Sequence, residues 1–255
     1  MRIKYKKVLL VLSLVIFALI ILIVLYGYQS GSCKIIKKYK CSEEFCLYKE
    51  FNTILPTEVQ SDVNKMIENK HIQKRVEIRM YPETLFNCAF PNKSGITIAT
   101  HNINKYAPRV IDYYHNRLCD IMSDLLQLKL YPTDLQFPTS CVLLIYDKEN
   151  DWINWHYDYN YYNGRFFTVL IPVTNNLTCT EFQMKDDNGI VKSINLTNGN
   201  SICFEGNYLF HRASKLCKGE KRVILSCQYV TDNSMSYINN LRIKLKDYAY
   251  IGKLL

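Results

Sequence analysis

The chain has 255 residues, 48% of them hydrophobic, which at roughly 100–200 residues per domain supports one sizeable domain with an appendage. Its formal net charge of +9 suggests a nucleic-acid partner only until the charge is located. Arg2, Lys4, Lys6, Lys7, Lys34, Lys37, Lys38 and Lys40 carry +8 of it, with no acidic residue among positions 1–40, so the rest of the chain is nearly neutral. A DNA- or RNA-binding domain carries its basic patch on the folded surface, and nucleic acid is therefore not expected as a partner.

Between the two basic clusters runs VLLVLSLVIFALIILIVLY, Val8–Tyr26, without a charge. About 20 apolar residues at 1.5 Å per residue cross a hydrocarbon layer ~30 Å thick. A cleavable signal peptide has a shorter apolar stretch, about 7–15 residues, and a small-x-small site after it. Residues 8–26 therefore read as a retained signal anchor. Four basic residues on each side leave the positive-inside rule undecided. The orientation rests on features C-terminal to the anchor: N-x-S/T sequons at Asn92, Asn176 and Asn195, and all ten cysteines. An even cysteine count is compatible with disulfides outside the cytosol. The expectation is a type II membrane glycoprotein. Residues 1–28 form the cytosolic tail and transmembrane anchor, and the domain lies in the secretory lumen or outside the cell.

Residues 29–50 read as a stalk holding Cys33, Cys41 and Cys46. Their spacing is not that of paired C-x2-C ligands and no histidine is near, so disulfides are expected there rather than zinc. Residues 51–255 form the domain. A helix is predicted over 55–80, with Thr57 as cap and Glu58 and Asp62 in its early turns. A second is predicted over 108–128. Pro108 suits its first turn, and Val110, Ile111, Tyr114, Leu118, Ile121, Met122, Leu125 and Leu126 repeat at helical spacing. His115, within it, reads as a histidine of the helix surface or core.

After Pro138 the period changes. Strands are predicted at 141–146, 152–156, 165–173, 180–184, 189–196, 201–204, 209–211 and 222–230, separated by turns such as Asn163-Gly164 and Asn198-Gly199. The tail, 237–255, has helical spacing and is expected to pack back on the domain. Helices first and short strands afterwards indicate an α+β fold: a sandwich, jelly roll or barrel with helices on one sheet face.

The chemistry-bearing residues lie on these strands. His156 and Asp158, two apart at a strand end, face one side, and His211 ends another predicted strand. Two imidazoles and a carboxylate are the ligand set that holds non-haem Fe(II) with positions left open. A structural zinc site would use four ligands, and a zinc hydrolase of the H-x-x-x-H type finds no such pair here. An acidic co-substrate on such an iron needs a cation for its far carboxylate, which arginine matches bidentately. Arg222 and Lys221 both qualify. Arg222 shares the more polar strand face with Ile224, Ser226 and Gln228, and Lys221 shares the more apolar face with Val223, Leu225, Cys227 and Tyr229, so Arg222 is preferred. Tyr146 ends the strand before His156 and is either a co-substrate contact or a core tyrosine.

The stretch from YDKENDWINWHYD (beginning at Tyr146) through RFFTVLIP (Arg165–Pro172) to FEGNYLFHRASKLCKGEKRVILSCQYV resembles the 2-oxoglutarate and Fe(II)-dependent dioxygenases, especially their prolyl 4-hydroxylase-like branch. The resemblance covers 141–230. It departs at Cys179-Thr180-Glu181-Phe182, where many relatives carry Gly-Gly-x-Leu, and at Pro172, where some prolyl hydroxylases have a tyrosine. It implies a double-stranded β-helix (jelly-roll) core, 141–230, buttressed by N-terminal helices; the single transmembrane helix read from residues 8–26 precedes it. It implies Fe(II) on His156, Asp158 and His211, and 2-oxoglutarate anchored by Arg222 or Lys221 and touched by Tyr146. O2 is the further co-substrate, and ascorbate a candidate auxiliary reductant. The activity implied is hydroxylation of a C–H bond in a protein or small-molecule substrate, peptidyl proline foremost. Tyr157, Tyr159, Tyr161 and Tyr162 are candidates for the substrate entrance. The competing reading is a jelly-roll binding or structural membrane protein without turnover.

Overall fold

The computed structural model describes residues 5–6, 9–19, 21, 48–79, 91–185 and 189–251, with side chains as far as Lys244. Residues 9–19 are helical and exposed. The expected span, 8–26, lies partly outside the described residues, and among those described no helix is long and apolar enough to cross a membrane. The cysteines of the expected stalk also lie outside them.

The domain is one antiparallel sheet wrapped on itself, with helices on its outer face. In chain order its elements are β1 (Tyr48–Asn52), α1 (Thr57–Glu68), β2 (Lys74–Ile78), β3 (Lys93–Ile98), α2 (Thr100–Tyr106), α3 (Pro108–His115), α4 (Arg117–Leu126), β4 (Tyr131–Pro132), β5 (Cys141–Tyr146), β6 (Trp152–His156), β7 (Phe166–Asn176), β8 (Phe182–Lys185), β9 (Val191–Ile194), β10 (Asn200–Phe204), β11 (Phe210–Ala213), β12 (Lys221–Val230) and α5 (Tyr237–Ile251). The strands run β1-β10-β7-β12-β5-β3-β6-β11-β8-β9, with β2 beside β3 and β4 beside β12.

Side-chain alternation shows the curl. Leu170 of β7, Ile224 of β12 and Phe204 of β10 share one buried cluster with Phe182 and Met184 of β8 and Ile194 of β9. Those strands stand at opposite ends of the hydrogen-bonded order, so the sheet must fold over for them to meet. The other face of β7 and β12, with Val169, Leu225, Cys227 and Tyr229, joins Leu143 of β5 and packs on Val59, Val63, Val110, Tyr114, Leu118 and Met122 of the helices. A third cluster closes one end, joining Tyr161, Tyr162, Phe166 and Val230 to Phe137 and to Ile243 of α5. The jelly-roll expectation thus holds for the core.

Several boundaries differ from the pattern in the sequence. The helix expected over 55–80 ends at Glu68. Asn69 takes an extended conformation, a 3-10 turn follows at Lys70–Ile72, and β2 adds to the sheet edge. Thr57 is not the cap: Pro56 occupies that position, and no side chain caps the end. The helix expected over 108–128 is two helices, broken at Asn116, whose backbone (φ −108°, ψ −87°) is non-helical. Apolar spacing survives such a break because both halves face one core. Strands β1, β2 and β3 carry no clean alternation and escape sequence reading. The first pairs β10 from Tyr48 onward, so the sheet begins just before position 51.

One polar knot fixes the start of β6. Asp151, buried, accepts from Arg75 (2.8 Å) and Ser94 (2.7 Å) on one oxygen, and from the backbone N–H groups of Asp147 and Lys148 (3.1 Å each) on the other. Ser94 belongs to the first sequon. Its hydroxyl is occupied there and Asn92 is only 2% exposed, so this sequon is not a surface acceptor in the folded domain. Asn176 and Asn195 are exposed.

Burial alone would raise the Asp151 carboxyl, but the bonds from Arg75, Ser94 and the two backbone N–H groups outweigh it and hold the group below the ordinary carboxylate range. A carboxyl held low in the fold contributes fully above its unfolded pKa of about 4 and loses that contribution as pH falls through its folded value. Urea unfolding followed from about pH 6 to about pH 3 should therefore show a stability loss on acidification. Asp151→Asn should be less stable at neutral pH by about 1–3 kcal/mol and should show a shallower acid loss.

A candidate metal centre inside the curled sheet

His156 and His211 meet because β6 and β11 are antiparallel neighbours in a register that sets the two residues directly opposite. Their rings stand 4.2 Å apart between centroids. A register shift on the far side of this pair lets Ala213 oppose Ile153. The imidazoles are oriented in the same way. His156 Nδ1 lies 2.7 Å from the carbonyl of Asn154, and His211 Nδ1 lies 2.8 Å from the carbonyl of Leu209. A carbonyl only accepts, so each Nδ1 carries a proton, and in the neutral ring it is Nε2 that offers a lone pair.

The two lone pairs converge on Asp158. Its Oδ1 lies 3.6 Å from His156 Nε2 and 3.9 Å from His211 Nε2, and the three donor atoms lie within 4.8 Å of one another. Burial first, and the neighbouring His211 second, lower the His156 imidazole to about 3, so it is neutral and able to donate a lone pair at physiological pH. Phe204 presents its edge to His211 at 4.7 Å between centroids and makes the inner wall apolar.

Sequence reasoning missed the supports of Asp158. Thr168 Oγ1 donates to Asp158 Oδ2 at 2.6 Å, and Asp158 N–H donates to the carbonyl of Gly206 at 2.9 Å. A Cβ on residue 206 would stand 2.3 Å from Asp158 Oδ2, so only glycine fits. Beside it, the buried Glu205 takes two bonds from Arg165 (3.0 and 2.9 Å), tying this turn to the start of β7. A glycine five residues before His211 was visible as a signal, whereas the Thr168 contact was not.

Arg222 opposes Tyr146 across the β12–β5 pair. It is 4% exposed, its guanidinium lies over the Tyr146 ring at 4.7 Å, and Nε has no hydrogen-bond partner among the described residues. Burial lowers its pKa below the ordinary arginine value. Lys221, one residue away, is exposed. Alternation explains the contrast, since Arg222 shares the inner face with Ile224 of the interior cluster. Just before β12, the Glu220 carboxylate accepts from the backbone N–H groups of Cys179 (2.7 Å) and Cys217 (3.0 Å) and from Thr180 Oγ1, and a Cys179–Cys217 disulfide closes the same junction. Burial opposes ionisation of Glu220, but these donors outweigh it and hold the carboxyl well below its usual range.

The tyrosines beside the ligands divide between two environments. Tyr161 and Tyr162 are buried in the end cluster, Tyr159 packs against it, and Tyr157 lies against Phe210 at 4.9 Å between centroids. His115 lies in α3 beside Tyr114, away from the triad.

A curled antiparallel sheet of this strand order, here with two opposed histidines and an aspartate beside them, has the architecture of the double-stranded β-helix class. No protein-family profile matches this chain, and no curated protein does. Solved structures share its fold. A 2OG-Fe(II) oxygenase family oxidoreductase from Burkholderia pseudomallei matches at TM-score 0.51 and 11% identity, over 77% of this chain and 96% of its own. AviO1 from Streptomyces viridochromogenes Tue57 matches at TM-score 0.54 and 11% identity, over 76% and 93%. The epimerase SnoN, solved with Fe3+, alpha ketoglutarate and nogalamycin RO, matches at TM-score 0.51 and 13% identity, over 72% and 78%. At such identities the likeness is one of fold, and the fold is that of the 2OG-Fe(II) oxygenases.

A buried cation without a partner destabilises the protein that carries it, and an apolar residue of similar volume relieves that cost. Arg222→Met should therefore raise the urea-unfolding free energy of the ligand-free protein by about 1–4 kcal/mol, opposite in sign to most core substitutions.

Proposed function

We propose that this chain is an Fe(II)- and 2-oxoglutarate-dependent dioxygenase that hydroxylates a C–H bond, with a peptidyl residue such as proline as substrate. The observation that carries the reading is Arg222: a guanidinium buried with no hydrogen-bond partner at Nε among the described residues, on the inner face of the same curled sheet as the His156–Asp158–His211 cluster. Such a group is tolerated when an anion completes it, and a planar carboxylate suits its donors.

The donor set fits the metal. Two imidazoles and one carboxylate oxygen on one side suit Fe(II) and leave coordination positions free. Bound iron with 2-oxoglutarate supplies the oxidising power, consuming O2 and yielding succinate and CO2 as a hydroxyl enters the substrate. The chain does the rest. The carbonyls of Asn154 and Leu209 hold both Nδ1 protons and so aim both Nε2 atoms inward. Arg222 receives the far carboxylate of the co-substrate, with the Tyr146 ring beneath it fixing the guanidinium plane. Leu170, Phe204 and Ile224 keep the interior dry, which strengthens that ion pair. Peptidyl proline rests on the sequence resemblance alone.

The assay uses the detergent-solubilised full chain with Fe(II) and 2-oxoglutarate. Succinate should form in an iron-dependent way, and His156→Ala should abolish it together with metal binding. Arg222→Met should keep the metal but raise the 2-oxoglutarate KM at least about 30-fold, the lower bound for truncating one partner of a buried charge pair. Retention of succinate formation by His156→Ala would remove the reading.

The domain is proposed to lie on the lumenal or outer side of a membrane, held by residues 8–26. Three features support this. Leu9 to Leu19 form a helix apolar and exposed all round, apart from Ser13, with large side chains such as Leu9 at 66% exposure. The Cys179–Cys217 disulfide suits an oxidising compartment. Asn176 and Asn195 offer exposed sequons. In cells, a glycosidase-sensitive mass shift should disappear in the Asn176→Gln, Asn195→Gln double variant and persist in Asn92→Gln. A protein that shows no shift and is open to protease on the cytosolic side would overturn this placement.

A further inference from the structure

The two oxygens of Asp158 have different surroundings. Oδ1 faces the histidines, 3.6 Å from His156 Nε2 and 3.9 Å from His211 Nε2. Oδ2 turns the other way and accepts the Thr168 hydroxyl at 2.6 Å, a length typical of a hydroxyl donating to an ionised carboxylate. Thr168 is 4% exposed and sits on β7, inside a long strand paired with β12. Its hydroxyl has one proton, and Oδ2 takes it.

A second contact blocks the same oxygen. Gly206 lies against it so closely that an added Cβ would fall 2.3 Å from Oδ2 and 2.7 Å from Cγ. The carbonyl of Gly206 also holds the Asp158 N–H at 2.9 Å. The carboxylate is thus fixed at the backbone, backed by Gly206 and tied at Oδ2 by Thr168.

We propose that Thr168 is a positioning residue that holds Asp158 to a single donor oxygen. The inference rests on the metal centre proposed above. A carboxylate can bind a divalent metal through one oxygen or both. With one, the chain fills three of six positions and three remain, two for a chelating keto acid and one for dioxygen. With both, the carboxylate takes a fourth position and that count fails. Thr168 and Gly206 both meet Asp158 at Oδ2, the oxygen turned from the histidines. They act through Asp158.

The test uses Mn(II) alone as probe on the detergent-solubilised full chain, with two readouts that need no turnover. One is Mn(II) affinity, from the signal of free Mn(II). The other is the number of exchangeable waters on bound Mn(II), from water-proton relaxation. The parent should keep about three exchangeable waters, as a three-atom ligand set requires. Thr168→Val should lose one of them or bind Mn(II) about 10–100-fold more weakly, the usual effect of losing a partner behind a metal ligand. Thr168→Ser, which keeps the hydroxyl, should restore both values. If Thr168→Val does not fold by circular dichroism, Thr168→Ala removes the same hydroxyl without added bulk and is read in its place. A hydroxyl-free variant with parental affinity and parental water number overturns the proposal while leaving the metal centre standing. A folded parent that holds no Mn(II) overturns the metal centre and this inference with it.

Discussion

A guanidinium sealed inside an apolar fold is the constraint around which this domain is arranged. Arg222 has an aromatic ring beneath it and, among the described residues, no partner at Nε. A lone cation over a ring gains about 2 kcal/mol or somewhat more when desolvated, against the several kcal/mol that burying an ion costs. The deficit is carried by the other face of the same strand, where Val223, Leu225, Cys227 and Tyr229 are fully buried against the helices. One strand thus holds a strongly stabilising face and a destabilising one back to back. Glu220 and the Cys179–Cys217 bridge hold its first residues in place, where strands commonly fray.

The histidine pair shows the same division between scaffold and site. Backbone carbonyls, not side chains, set both tautomers, so the donor directions come from the course of the chain before each strand residue. Asp158 lies beyond the end of β6 and lacks the ladder that fixes the histidines. It is fixed instead by a threonine from β7 and a glycine that gives way to it. The Asp151 knot performs the equivalent service at the other end of β6, holding the loop through which the chain enters that strand.

Local pattern and global architecture disagreed in places with a physical reason. The long apolar repeat over 108–128 carries no mark of the break at Asn116, because residues on both sides of a kink can face a single core. The helix expected to continue past Glu68 gives way to an edge strand, since sheet pairing with β3 satisfies the backbone that the helix would otherwise satisfy. Asn92 bears a surface motif yet is buried, because its companion Ser94 is recruited by a carboxylate from β6's approach.

What the sequence determined by itself were the properties that live on one strand. Alternation assigned Arg222 and Lys221 to opposite faces, spacing placed His156 and Asp158 on one segment, and β-rich runs after Pro138 marked most of the strands. Each of these depends on a residue's near neighbours, and near neighbours are what periodicity reports. The tertiary structure alone decided that His211 stands opposite His156, that Thr168 reaches Asp158, and that Gly206 must have no side chain. Those contacts depend on how far a twelve-stranded sheet curls and in which register its distant strands pair, and packing over the whole core sets both.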